Sequence, residues 1–313
     1  MAEADRSKTM MLTTGKGKGG PTKAGKLPGH RASERKEPRP FKGMWYGESG
    51  MGKTYIVVQL LLVGFKVLYF STEMGGDGLR TVESALKKLG REDLLANLYE
   101  APAFADYEEV SDFLQDPASR CPGLWTDFQP DFIFWDGFTE FQLLYLERYI
   151  ADELQPDNPR ADREAGLMSV EKDWNMVMNG TLRGSHDFFQ IRDPQTGREP
   201  HKIVTCKQAE KERDAVPGVE GKPAPMKAKK TFILQGAAKK IFEGAFDFIF
   251  LAAKKDSLKP GEPPSFVWRV QASEKQTAKV RGCEFTEKEI PADFSSLWSR
   301  LGLPLPEDKE KTT

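Results

Sequence analysis

Apolar and polar positions change rhythm repeatedly along this chain. Runs that are apolar at nearly every position, such as "VLYF" at 67–70 and "FIFW" at 132–135, alternate with longer stretches such as "GLRTVESALKKLG" and "YEEVSDFLQD", whose apolar residues recur three or four apart. A short continuous apolar run fits a strand buried on both faces, and three-to-four spacing fits an amphipathic helix. The strand-like runs are "GMWYG", "KVLYFSTE", "LYEAPAF", "DFIFWDG", "HKIVTCKQ", "FDFIFLAA" and "SFVWRVQASEK". Between them, "KTYIVVQLLLVG", "TEFQLLYLERYIADEL" and "MSVEKDWNMVMNGTLRGSHDFFQ" also read as helical. Parallel strands need crossovers, and helices supply them. The pattern predicts an α/β fold with a mainly parallel central sheet and helices on both faces. The last two strand runs are joined by "KKDSLKPGEPP" and are expected to form a terminal antiparallel hairpin.

Residues 1–40 contain almost no large apolar side chains and are expected to be a disordered basic tail. Residues 41–290 carry the alternation and are expected to form the core. Residues 291–313 read as a C-terminal extension, frayed after Leu305. Two stretches, 153–166 and 212–230, resist assignment to regular elements, and loops of that length tend to be functional or mobile. Trp174, Met176 and Met178 sit at helical spacing and are expected to pack in the core.

Composition narrows the picture. The chain has 313 residues, 30% of them charged, with a net charge of −1. That balance conceals eleven Lys or Arg against four acids in residues 1–43. A basic tail suits either a polyanionic partner or solubilising disorder. Cys121, Cys206 and Cys283 lack paired spacing, as expected of a reducing compartment. His30, His186 and His201 are far apart, and no zinc-ligand spacing is visible. The longest apolar run, "YIVVQLLLVGF", is short for a bilayer span and contains Gln59. No signal-peptide core is evident at the start. A cytoplasmic location without membrane association is expected.

Chemistry enters at residues 47–54. Gly47, Glu48, Ser49, Gly50, Met51, Gly52, Lys53 and Thr54 match the phosphate-loop pattern G-x-x-x-x-G-K-[ST]. Glycines let successive backbone N–H groups converge on phosphate oxygens, and the following helix offers its positive end. Lys53 is expected on the β- and γ-phosphates of ATP, and Thr54 on Mg²⁺. The partner carboxylate is expected at the end of an apolar strand, and "DFIFWDG" supplies Asp136. Asp247 begins its strand rather than ending it. Ligands of open α/β sheets gather at the carboxyl ends of strands, which favours Asp136 as the metal residue. "KVLYFSTE" ends in Glu73, a candidate to activate water, and "HKIVTCKQ" ends in Gln208, a candidate γ-phosphate sensor.

A glutamate after the second strand, a glutamine after a later one, and the late basic pair Lys279 and Arg281 together resemble the RecA-like P-loop ATPases. "STEMGG", a Trp-bearing helix before the Gln strand, and "FDFIFLAA" are similar to phage-encoded RecA-like proteins linked to single-strand annealing. The likeness spans roughly residues 41–285 and departs at Gly137, where Ser is frequent, and in the long stretch 151–200. It implies a RecA-like core, ATP hydrolysis, nucleotide held between subunits of a ring or filament, and Lys279 and Arg281 reaching a neighbour's nucleotide. It also implies work on single-stranded DNA, in phage recombination, annealing or replication, with a possible annealing or single-strand-binding protein as partner. A hexameric helicase-like motor or loader, and a nucleotide-gated binding module with little turnover, are the alternatives.

The DNA expectation has its own residues. Lys222, Lys227, Lys229, Lys230, Lys239 and Lys240 fall within 222–241, a stretch without acids. Such a segment can follow a phosphate backbone, and Phe232 can stack on a base. The competing reading of the same lysines is a solvated loop. Arg160 and Arg163 lie among acids and make a weaker candidate. No sequence-reading DNA motif is present, so sequence-tolerant binding is expected.

Overall fold

A computed structural model describes residues 39–73, 78–153, 171–211, 229–232, 238–255, 265–273 and 276–306, all within one compact unit. The expected tail at 1–40 falls almost wholly outside them, as do Arg160, Arg163, Lys222 and Lys227. The side chains of Trp174 and Met176 are likewise outside the description, and that of Met178 is half-buried.

The chain runs β1 (Lys42–Gly47), α1 (Tyr55–Leu62), β2 (Val67–Ser71), α2 (Gly78–Leu89), β3 (Leu98–Glu100), α3 (Tyr107–Gln115), α4 (Pro117–Arg120), β4 (Phe132–Asp136) and α5 (Phe138–Glu153). It continues through α6 (Glu171–Gln190), β5 (His201–Lys211), β6 (Lys229–Phe232), α7 (Ala238–Ala245), β7 (Phe248–Lys255), β8 (Ser265–Arg269), β9 (Lys279–Val280), β10 (Glu289–Pro291) and α8 (Phe294–Arg300). Across the sheet the order is β10-β8-β7-β1-β5-β4-β2-β3. The six strands from β7 to β3 are parallel. The expected antiparallel pairing of β7 with β8 is present, and β10 extends it.

Alternation of side chains explains the continuous apolar runs. Trp45, Tyr69, Phe132 and Phe134 pack on one face, with Ile56, Val57 and Leu60 of α1. Met44, Tyr46, Leu68, Phe70, Ile133 and Trp135 pack on the other, with Phe113, Phe141, Phe188 and Phe242 from four helices. A strand covered on both faces has no position for a solvated side chain.

Three expectations shift. The strand ending in Gln208 continues to Lys211 and pairs antiparallel with β6, so Gln208 lies inside a strand, opposite Phe232. Part of the stretch taken as irregular, Lys229 and Lys230, is therefore strand. The segment read as an extension enters the core, with Phe294, Leu297 and Trp298 all buried. The physical reason in all three cases is pairing or packing with elements far away in sequence.

Candidate nucleotide site

The loop 47–54 leaves the carboxyl end of β1 and turns into α1. Gly50 and Gly52 adopt φ of 76° and 78°, a left-handed conformation that glycine takes without strain. Gly47 is set by close approach instead: a Cβ there would lie 2.7 Å from the Ala252 carbonyl oxygen on neighbouring β7. Lys53 folds back over the loop, and its Nζ donates to the carbonyls of Gly47 at 2.9 Å and Glu48 at 2.8 Å. Burial pushes the Lys53 ammonium below the usual lysine range, against the opposing pull of Asp136 and Glu73.

Asp136 ends β4 and is 1% exposed. Its Oδ2 accepts from the Thr54 hydroxyl at 2.8 Å and from the Tyr69 hydroxyl at 3.0 Å, and its Oδ1 accepts from Thr205. Thus β2, β4, β5 and the start of α1 converge on one carboxylate. Tyr69 and Thr205 did not stand out in the sequence. The available signal was a hydroxyl inside each apolar run, since a buried hydroxyl needs a partner. Hard oxygen donors, one of them a buried carboxylate, suit Mg²⁺.

Glu73 lies two residues past β2, beside the turn after Asp136. Gly137 has φ of 86°, and a Cβ there would lie 2.5 Å from Glu73 Cγ. Any side chain at 137 would therefore press on Glu73. Burial raises the Glu73 carboxyl above the ordinary glutamate range, helped by Asp136 and Glu140 and opposed by Lys207 and Lys53. Glu140, in the first turn of α5, is buried and ion-paired with Lys207. Neither Glu140 nor Lys207 was singled out from sequence, since only the fold brings them beside Glu73.

Gln208 reaches the loop, and its amide donates to Glu48 Oε1 at 3.0 Å. Lys53, Thr54, Glu73, Asp136 and Gln208 therefore share the carboxyl edge. Asp247 lies at the start of β7, on the amino side. Lys279 and Arg281 are there too, because β9 pairs with Phe248 and Ile249, whose β1 partners are Gly43 and Met44. That is about 10 Å of strand below the loop. The sequence suggests that the pair turns after the final strand, but Lys279 lies in β9 and β10 comes later. Lys279 Nζ donates to the Glu243 carbonyl at 2.6 Å, and Arg281 pairs with Asp247 at 3.5 Å. Within one chain neither is brought to the loop. Lys229, Lys230 and Phe232 are placed by their backbone in β6.

A cleft of about 580 Å³ opens over the loop, lined by Lys53, Thr54, Glu73, Gly78, Phe266 and Trp268 among others. Fold and edge together define a mixed α/β protein with a phosphate loop at the carboxyl edge of a largely parallel sheet. No protein-family model matches the chain, and no curated protein matches it. Among solved structures, the flagellar accessory protein FlaH from Methanocaldococcus jannaschii is similar at 14% identity, over 80% of this chain and 84% of that one, with a TM-score of 0.35. Nothing about activity follows from a likeness of that size. No helix among the described residues is long and apolar enough to cross a membrane.

Proposed function

We propose that this chain is a RecA-like ATPase that binds ATP with Mg²⁺ at the carboxyl edge and hydrolyses it. The observation that carries this reading is the convergence of a phosphate loop, a part-buried Thr54–Asp136 hydrogen bond and the raised carboxyl of Glu73 beside one cleft. Thr54 and Asp136 would hold Mg²⁺, which neutralises charge on the phosphates when bound. Lys53 exchanges its two loop carbonyls for phosphate oxygens. Glu73 accepts the proton of the attacking water, which displaces ADP from the γ-phosphorus in line. Gln208, resting on Glu48 of the loop, would register the γ-phosphate.

Single-stranded DNA is the proposed effector. Its support is the acid-free run containing Lys222, Lys227, Lys229 and Lys230, and the pairing of Phe232 with Gln208. That register ties the basic segment to the strand that touches the loop. Oligomers with nucleotide between subunits, and a role in phage recombination or annealing, rest on the sequence resemblance alone.

ATP turnover measured with and without single-stranded DNA tests the reading. Turnover stimulated by DNA, lost in Lys53→Ala, is expected. With Lys227, Lys229 and Lys230 neutralised, basal turnover should persist while DNA affinity and its salt slope fall. Nucleotide binding without turnover under either condition favours the gated module, and strand displacement favours the motor.

A further inference from the structure

Six large hydrophobic side chains among the described residues are exposed, and two of them, Tyr55 and Phe266, line the cleft over the phosphate loop. Phe266 is 43% exposed although it lies on β8, which is paired on both sides. Its neighbour two positions on, Trp268, is 2% exposed and packs in the cluster that contains α1. Residues two apart on a strand share a face. Phe266 thus continues the core face of β8 beyond the start of α1 and out over the loop. A Cβ on Gly52 would lie 3.5 Å from the Phe266 ring, which places the ring at the shoulder of the loop.

We propose that Phe266 is the platform on which the nucleotide base stacks, and that the site takes purines without distinguishing adenine from guanine. The proposal rests on the nucleotide reading of this cleft. Discrimination between purines needs polar groups that read the base edge, and among the described residues beside Phe266 the Gln59 amide is engaged at both ends. Gln59 donates through Nε2 to the Ala292 carbonyl at 2.5 Å and accepts through Oε1 from the Phe294 amide at 3.1 Å. The Ala292 amide donates to the Phe266 carbonyl at 3.1 Å. Phe266 itself presents an aromatic face, which any base can cover and a larger purine covers better.

Equilibrium binding of ATP, GTP, CTP and inorganic tripolyphosphate to the full chain and its Phe266 variants provides the test. Wild type should bind ATP and GTP within about threefold of each other, and both more tightly than CTP or tripolyphosphate. Phe266→Ala should weaken ATP by roughly 5- to 100-fold, as loss of a base–aromatic stack does, and leave tripolyphosphate unchanged. Phe266→Trp should restore ATP binding, and Phe266→Leu, which keeps the apolar contact, controls for folding. Equal loss of ATP and tripolyphosphate in folded Phe266→Ala, or no loss of ATP, overturns the platform. A strong preference between ATP and GTP overturns the tolerance. A wild type that binds tripolyphosphate as tightly as ATP overturns base stacking but spares the phosphate loop. A wild type that binds neither overturns the nucleotide reading beneath it.

Discussion

Glu73 is where protonation bears on turnover. Its carboxyl is raised by burial, then by Asp136 and Glu140. Only the ionised form accepts a proton from water, so turnover should rise with pH along a limb above the ordinary value of 4.5. For stability the sign is reversed. Between the unfolded value and the raised folded one, the folded state holds more protons, so ionising Glu73 costs stability as pH rises through that window. Glu73→Gln should lower turnover by about 10²-fold or more and flatten the acidic limb of the pH–rate profile. It should also remove that stability loss in urea melts at matched pH. An acidic limb that survives in Glu73→Gln would assign the proton to another group. Gly137 tests the same contact from the other side. Gly137→Ala combines an unfavourable φ with a clash against Glu73, and should cost about 1–3 kcal/mol in urea unfolding while slowing hydrolysis. A variant as stable and active as wild type would mean that the turn relaxes freely.

At the scale of elements, α8 is the test of what holds the α1-bearing face of the sheet together at the amino ends of its strands. It is seven residues long, and Asp293 caps it by accepting from the Ser295 and Ser296 amides. Its Trp298 stacks edge-on against Phe41, Phe65, Phe132 and His201, and donates through Nε1 to the Pro304 carbonyl at 3.1 Å. These rings belong to β4, to the start of β5 and to the segments flanking β1 and α1, so one side chain bridges four parts of the chain. Trp298→Ala should destabilise by about 3–5 kcal/mol, read from the urea midpoint, because it removes a full core aromatic. A loss under about 1 kcal/mol would show that the C-terminal segment is dispensable to the core.

At the scale of the whole molecule, the basic pair at Lys279 and Arg281 decides whether the site is complete in one chain. Both lie on the amino half of the sheet, about 10 Å of strand from their own loop. Among the described residues Arg281 is held by an exposed pair with Asp247, with the two side chains 60% and 32% exposed. Such pairs contribute about 0–1 kcal/mol, so Arg281 can exchange this partner for a neighbour's phosphate at small cost. Arg281→Ala should keep near-wild-type stability and ATP affinity yet hydrolyse poorly. Mixed with Lys53→Ala, which loses its own site but keeps its basic pair, it should regain part of the activity at interfaces that join an intact loop to an intact Arg281. No recovery in verified mixed assemblies would mean that the pair does not act across subunits.

Much of this was legible from sequence because the signals are local. A loop that must curl around phosphate needs glycines at fixed offsets, and strands buried on both faces need unbroken apolar runs. Lys53, Thr54, Glu73 and Asp136 could therefore be placed on one edge from their positions within or just after such runs. Gln208 was expected at the same edge, but its strand continues because β6 returns to pair with it, and pairing partners are not local. Tyr69 and Thr205 are unmarked within their apolar runs, and it is the sheet order, with β2 and β5 on either side of β4, that aims both hydroxyls at Asp136. Glu140 and Lys207 come together for the same reason. Sequence determined which residues form the loop and which strand-end carboxylates lie at its edge. Tertiary structure alone decided what surrounds Asp136 and Glu73, because neighbours across a sheet are set by strand order and register, which spacing along the chain does not encode.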